Sequence, residues 1–578
     1  MLSHMEFNET GLPNGFFNRT SIRLKTLSIG LCTQSDALQV NSHSLDGLEE
    51  TLENLMITDC NMDMIPTTLE SYTRLNSLSL ARNRLTTVPK NSFAALENLV
   101  SLNLAGNFIA SMEEGTLAQI NKSLEVLILG EHNFINESIF NEIAQLRNLK
   151  VLDLSKADGI SEFPVGIFEK LTKLEKLLLM GCSLTTITNQ TFRGLNNLIE
   201  LDLRVNLIRE MECAAFQSIP NIRRLSLAGN YLNITQPCFW NDLNKIEELD
   251  LSWNELSQLP AQSFSQLGKT LRILNLRHNT NLTHIDDYAF DNLTNVIRLN
   301  LSNTAITNVN AAHFASLISL QAIDLSNSQL HSVVSQSFAK QFSTLQQLML
   351  NNNQLRTLPP QFIEHLQQLK QLDISSNLWL CDEAMKNVIT EINEKYAIAA
   401  QTSKEFLLIN ANNTICDRPY SLRGEVITDI DSNLLVEYNP IIDTTTTTTT
   451  QRPITTIDID TTNTLFTFFP NEAFIGKDDE QGNSEHSKAI SGQRAPPEYD
   501  INVHQTLTNN SDQQFMATLI ALGVMLAVSA AVTIAVVLYV KKRKSENTDH
   551  VADTEMDARP SNGRCKRKSI EEDETGKK

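Results

Sequence analysis

The chain has 578 residues, a net charge of −20 and only 6% aromatic residues. This length exceeds what one compact core holds, so several segments are expected. The acidic balance argues against nucleic acid or an anionic membrane as the main partner.

Residues 1–21 open as MLSHMEFNETGLPNG, with no basic stretch and no apolar run, so they do not read as a signal peptide. From Ile22 to Trp379 one pattern returns. Leu198–Ile208 reads L-x-x-L-x-L-x-x-N-x-I, and the same spacing recurs 24 residues on as IRRLSLAGNYL and then IEELDLSWNEL. About fifteen such units follow one another, and a fixed period of this size governs every later reading. Leu201 and Leu203 alternate, so they lie on one face of a short strand, with Asp202 on the other. Stacked rungs then form a parallel sheet, each burying its leucines against its neighbours.

Two further columns accompany the leucines. Asn83, Asn107, Asn206, Asn230, Asn254, Asn279, Asn353 and Asn377 stand where the chain turns out of the strand. A side-chain amide there satisfies backbone groups of adjacent turns. Cys32, Cys60, Cys182, Thr304 and Ser328 share the column, which slips near His132 and Ala157. The three cysteines read as buried thiols. Phe93, Phe192, Phe216, Phe264, Phe314 and Phe338 follow the column by ten positions, and Phe168, Phe239, Phe290 and Phe362 lie close to that offset. They are expected to stack as an apolar spine.

This pattern resembles the leucine-rich repeat over residues 22–379. The resemblance implies an α/β solenoid: a horseshoe with a curved parallel sheet and an irregular convex side. Residues 380–438 resemble the C-terminal cap of such repeats. The family pattern is N-P-x-x-C-x-C, a helix, then C-x-x-P with L-R-G. Cys381 matches the first cysteine and Cys416 the third, whereas Glu383 stands where the second belongs. The resemblance implies a Cys381–Cys416 disulfide. Cys213 and Cys238 are a second candidate pair, one rung apart, although their offsets from the column differ by one residue. The cysteine-bearing N-terminal cap has no counterpart, since no cysteine precedes Cys32. The first rung is expected to show a bare strand edge. A sequence lacking its true N-terminus is the simplest account.

Periodicity stops near Asn439. Residues 439–514 contain IIDTTTTTTTQRPITT, which reads as a disordered, O-glycosylated stalk. Residues 515–540 carry no charge and are long enough to cross a bilayer once. Lys541–Lys544 follow at once, placing residues 541–578 in the cytoplasm and Cys565 with them. That tail is too short for a signalling domain. It is net +2, which leaves −22 on residues 1–514. The expected location is the plasma membrane.

Eleven N-x-S/T sequons precede the apolar stretch and none follows it: Asn8, Asn18, Asn121, Asn136, Asn189, Asn233, Asn281, Asn292, Asn300, Asn412 and Asn509. They fit a glycosylated ectodomain. Leu267–Thr270 mimics the end of a phosphate loop without its first glycine, and Asp429–Asn433 mimics a calcium loop without its glycine and glutamate. No catalytic motif, metal-spaced histidine pair or cofactor signature occurs, and no enzyme activity is expected. What remains is the sheet's outward face. Asp153, Asp202, Asp250, Asp324 and Asp373 sit between strand leucines there. They suit a basic protein partner, and equally a solvated acidic face. The resemblance to adhesion and receptor proteins of animal cells implies a surface protein that binds other proteins, itself included. The other reading is a co-receptor resembling Toll-like receptors, without their cytoplasmic signalling domain.

Overall fold

The computed structural model describes residues 23–30, 43–402 and 405–440 apart from Ile234, together with Leu2, Ser3, Gly15, Phe17 and Cys32. The stalk, the apolar span, the tail and the sequons at Asn8, Asn18 and Asn509 lie outside the described residues. Among the described residues no helix is long and apolar enough to cross a membrane.

The repeats form one 17-stranded sheet whose strands all run parallel. Rungs stack in register: Ser77 faces Ser101, Glu200 faces Arg224, and Gln347 faces Gln371. The inward leucines Leu201, Leu225 and Leu249 are at most 2% exposed. On the return side, rings stack from Phe192 through Phe216, Trp240, Phe264, Phe290 and Phe314 to Phe338, with centroids 5.5–6.5 Å apart. The spine member of its rung is Trp240 and not Phe239. A 3-10 turn, Pro237–Trp240, delays the ring by one residue, and Phe239 packs edge-on against it.

Each column asparagine bridges two rungs. Asn254 accepts from the Leu232 N–H at 3.0 Å and donates to the carbonyls of Leu227, Leu251 and Ser252. Asn133 fills the column where it slips, with the same set of bonds one residue beyond His132. The residue before the column adopts positive φ, as at Arg82, Val205, Trp253 and His278, and glycine takes that place at Gly106, Gly181 and Gly229. Gly268 answers a different need: a Cβ there would lie 2.1 Å from the Asn292 carbonyl oxygen.

The reading of Cys32 and Cys60 as thiols is corrected. They form a disulfide with Cα atoms 4.7 Å apart. Column positions of adjacent rungs lie directly over one another, within the reach a disulfide requires. Cys182 stays a buried thiol, and its Sγ–H donates to the Leu154 carbonyl. Burial pushes that thiol up to about 12, so it stays protonated. Cys213–Cys238 and Cys381–Cys416 are both bonded. The first strand edge is not bare, because Leu2–Ser3 pairs with Ile29 and Gly30.

The C-terminal cap adds a strand that the repeat spacing does not show. Helices α1 (Glu137–Ile143) and α2 (Phe362–His365) belong to rungs, and α3 (Glu383–Thr402) follows the last of them. After α3, Leu407–Ile409 pairs with Gln371–Asp373 and extends the sheet. The buried Glu391 of α3 accepts the N–H groups of Gln361 and Ile363 at 2.6 and 2.8 Å, which holds the cap on the last rung. Glu142 of α1 does the same for Gly115 and Leu117.

Candidate recognition surface

Three outward positions per rung build the sheet face, as Glu200, Asp202 and Arg204 do in one rung. Along the sheet these positions change in type while the inward leucines do not. The middle rungs are charged. Glu200 lies 3.5 Å from Lys176 and 2.9 Å from Arg224, on either side of it. Glu248 comes next, its carboxyl raised by burial and opposed by Arg224 and Arg298. Earlier rungs carry Ser77, Ser79, Ser101 and Asn103 instead.

The five aspartates occupy this face, but their first task is structural. Each accepts the backbone N–H two residues on: Ser155, Arg204, Ser252, Ser326 and Ser375, at 2.9–3.0 Å. Asn103, Asn275 and Asn300 do the same for Ala105, Arg277 and Ser302. That shared acceptor role explains why Asp and Asn interchange in the column. Second carboxylate oxygens are also engaged, Asp202 by Arg204 and Asp373 by Asn410. Burial raises Asp250, Asp324 and Asp373 above the ordinary carboxylate value, against the serine hydrogen bonds that lower them. All five thus commit one oxygen to their own backbone, and Asp202 and Asp373 commit both.

Asn300 is corrected as a glycan site. It is 2% exposed, lies in the strand Arg298–Asn300, and its amide oxygen accepts from Ser302. A sugar there requires the side chain to give up its bonds with Ser302 and leave the packed sheet face. The other described sequons, Asn121, Asn136, Asn189, Asn233, Asn281, Asn292 and Asn412, all lie outside the sheet strands.

A second asparagine column escaped the sequence reading. Asn98, Asn148, Asn197, Asn221 and Asn295 each precede the first leucine-type residue of a rung. Each donates to a carbonyl of the previous rung at 2.7–2.8 Å. The recurring N-L, N-I or N-V dipeptide was the available signal. Beside the sheet face Trp253 stacks on His278 at 3.7 Å. Burial and Arg277 push the imidazole down to about 3, so it is neutral. Near the cap an open cleft of about 600 Å³ is lined by Gln347, Lys370, Gln371, Tyr396 and Phe406. Among the described residues no group of three or more His, Cys, Asp or Glu side chains is placed to hold a metal.

Models of the leucine-rich repeat match residues 50–109, 172–232, 245–267, 269–330 and 318–378. Tsukushi of Gallus gallus is 28% identical over 24% of this chain and 36% of its own length. Keratocan of Bos taurus is 30% identical over 24% of this chain and 39% of its own. Toll-like receptor 3 of Bos taurus is 29% identical over 36% of this chain and 28% of its own. The chain thus spans less than two-fifths of each of these relatives. Among solved structures, the Leptospira interrogans LRR protein LIC12759 superimposes with a TM-score of 0.53 at 27% identity, covering 66% of this chain and 89% of that one. The Drosophila Toll–Spatzle complex superimposes with a TM-score of 0.50 at 19% identity, covering 71% and 64%, and supports the fold alone. Repeat, register and relatives agree: the chain is a leucine-rich repeat protein resembling the ectodomains of Toll-like receptors and the repeats of Tsukushi and keratocan.

Proposed function

We propose that the chain is a single-pass cell-surface protein that binds other proteins through its repeats, in cell adhesion or recognition. The sheet face carries this reading. Its inward residues are uniform and its outward ones individual, which is how a repeat scaffold separates stability from specificity. The uncharged stretch at 515–540 and the basic residues after it support the membrane anchor. The fold by itself does not choose between protein and nucleic acid as ligand. The charge of −22 on residues 1–514 is the argument for protein. A second reading, a co-receptor that borrows a partner's signalling domain, draws on the similarity to Toll-like receptor 3.

The test gives the tagged chain a working signal peptide, expresses it on suspension cells and mixes labelled expressing cells with unlabelled parental cells. Tag detection on intact cells establishes the topology. Its absence overturns the surface reading. Clusters of expressing cells alone mean adhesion between like chains. Mixed clusters mean a ligand on the parental cells. With surface display established, no clusters of either kind overturn adhesion in favour of the co-receptor reading.

A further inference from the structure

One column on the flank of the sheet has an order that rung stacking does not require. It is formed by the residue just before the first outward strand position in each rung. From Glu125 it runs through Lys150, Glu175, Ile199, Arg223 and Glu247 to Arg272. Each backbone N–H donates to the carbonyl of the member before it, at 2.7–2.8 Å. The seven are therefore a continuous ladder, spaced by one strand separation and spanning about 29 Å. Its charges are well presented: side-chain exposure is 43% at Lys150, 40% at Glu125, 50% at Arg223 and 38% at Glu247, and Glu175 and Arg272 are exposed too.

Within the chain, Lys150 pairs with Glu125 and Arg223 with Glu247. Glu175 and Arg272 make no ion pair among the described residues. Alternation within each half explains the internal pairs. It does not explain the phase. Read outward from Ile199, one half runs negative, positive, negative and the other positive, negative, positive. Continued alternation through Ile199 would have made the two halves alike in sign. The observed phase makes them opposite at every step.

That antisymmetry has a geometric meaning. A two-fold axis through Ile199 and perpendicular to the column lays the ladder of one chain, reversed, on that of another. Glu175 then meets Arg223, Lys150 meets Glu247, and Glu125 meets Arg272, each twice. Ile199 meets itself at the axis. Past the charges Val100 falls opposite Ile297 and Asn76 opposite Gln321, and like charges face each other only at the far ends of the sheet, Lys25 opposite Lys370. An isologous contact demands such a self-complementary surface.

We infer that this flank is a self-association surface that pairs two copies of the chain about a two-fold axis at Ile199, with the opposed charges setting its register. The inference rests on the reading of the solenoid as a protein-binding scaffold and names one partner for it. Complementary exposed charges of this kind act on specificity and association rate and are screened by salt.

The experiment uses the full chain purified in detergent and sized by sedimentation velocity or mass photometry. One variant inverts the first half of the ladder, E125K/K150E/E175K. A second inverts the other half, R223E/E247R/R272E. Each keeps the alternation of its own half, so the internal ion pairs survive and folding is not put at stake. Wild type is expected to dimerise, more tightly at low salt. Each variant alone should dimerise at least tenfold more weakly, because each of the six facing pairs becomes like-charged. Mixed together, the two variants should pair with each other. Variants that dimerise as well as wild type, or a mixture that stays monomeric, overturn the proposal. So does a monomeric wild type. Clustering of cells in the aggregation test alongside a monomeric chain would overturn this flank contact alone and leave the broader function standing.

Discussion

Two stretches of the solenoid solve one problem in different ways. From Asn206 to Asn279 every rung places an amide in the column. Asn230 shows the yield: one acceptor bond from Ile208 and donor bonds to the Leu203, Leu227 and Ala228 carbonyls. At Thr304 and Ser328 hydroxyls take the place. The Thr304 hydroxyl donates to Leu301, and the two side chains meet each other at 3.1 Å. One amide therefore ties two strand ends together with four bonds, whereas the hydroxyls of Thr304 and Ser328 share the task through weaker contacts, at up to 3.5 Å from Ser328 to the Leu301 carbonyl. Buried backbone groups must be satisfied in either case, but the amide does so with more bonds per residue.

The largest expected effect comes from breaking the richer stretch. Asn254→Ala strands the Leu232 N–H and several carbonyls, and should cost about 3 kcal/mol. Urea unfolding measures the loss, and hydrogen exchange should show it first at Leu232 and its neighbours. Thr304→Ala is expected to cost about 1 kcal/mol. Equal costs would erase the distinction between the two stretches. The reverse change sharpens it: Thr304→Asn with Ser328→Asn should gain about 1 kcal/mol in the same unfolding experiment.

Smaller effects come from the side chains beside the column. Asp324 shares the rung of Ser328, and burial raises its carboxyl above the ordinary value of 3.8, against the Ser326 hydrogen bonds and the Arg277 charge. The folded chain therefore holds that proton more tightly than the unfolded one. The stability this contributes is full below the ordinary value and is lost as pH rises through the folded one. Asp324→Asn keeps the acceptor for Ser326, as Asn300 does for Ser302. It should stay within about 1 kcal/mol of wild type at pH 7 and remove the loss of stability that Asp324 contributes as pH rises above 3.8. Loss of the fold in this variant would mean that the charge itself is needed. The smallest effect concerns Cys182, the column's thiol. With its pKa pushed up to about 12 and its side chain buried, it should resist maleimide in the native chain and react only after denaturation. Rapid native labelling at pH 7.5 would show that its rung opens readily.

Much of this architecture was legible because repetition carries it. Leucine spacing places each strand, and a small polar residue after it marks each turn, as the bonding of Asn254 and Cys182 shows. Trp240 escaped because one 3-10 turn shifts a ring by a residue, a local event that periodicity averages away. Glu391 escaped for another reason, since it acts on Gln361 and Ile363 in the preceding rung and belongs to no repeat.

The candidate site was less legible. Alternation shows that Asp250 points outward, and the structure agrees; it does not show that the Ser252 N–H is already waiting for its oxygen. The sequon at Asn300 is a string of three residues, and only its neighbours bury it. What the sequence by itself determined is everything set by spacing along the chain: the strand period, the inward leucines, the polar column and the uncharged stretch at 515–540. Only the tertiary structure decided what depends on one rung lying over another. It pairs Cys32 with Cys60, engages the five aspartates, and aligns Glu125 to Arg272 in one ladder. Residues about 24 apart become neighbours one strand separation away. Their charges, thiols and amides then meet as no local pattern specifies.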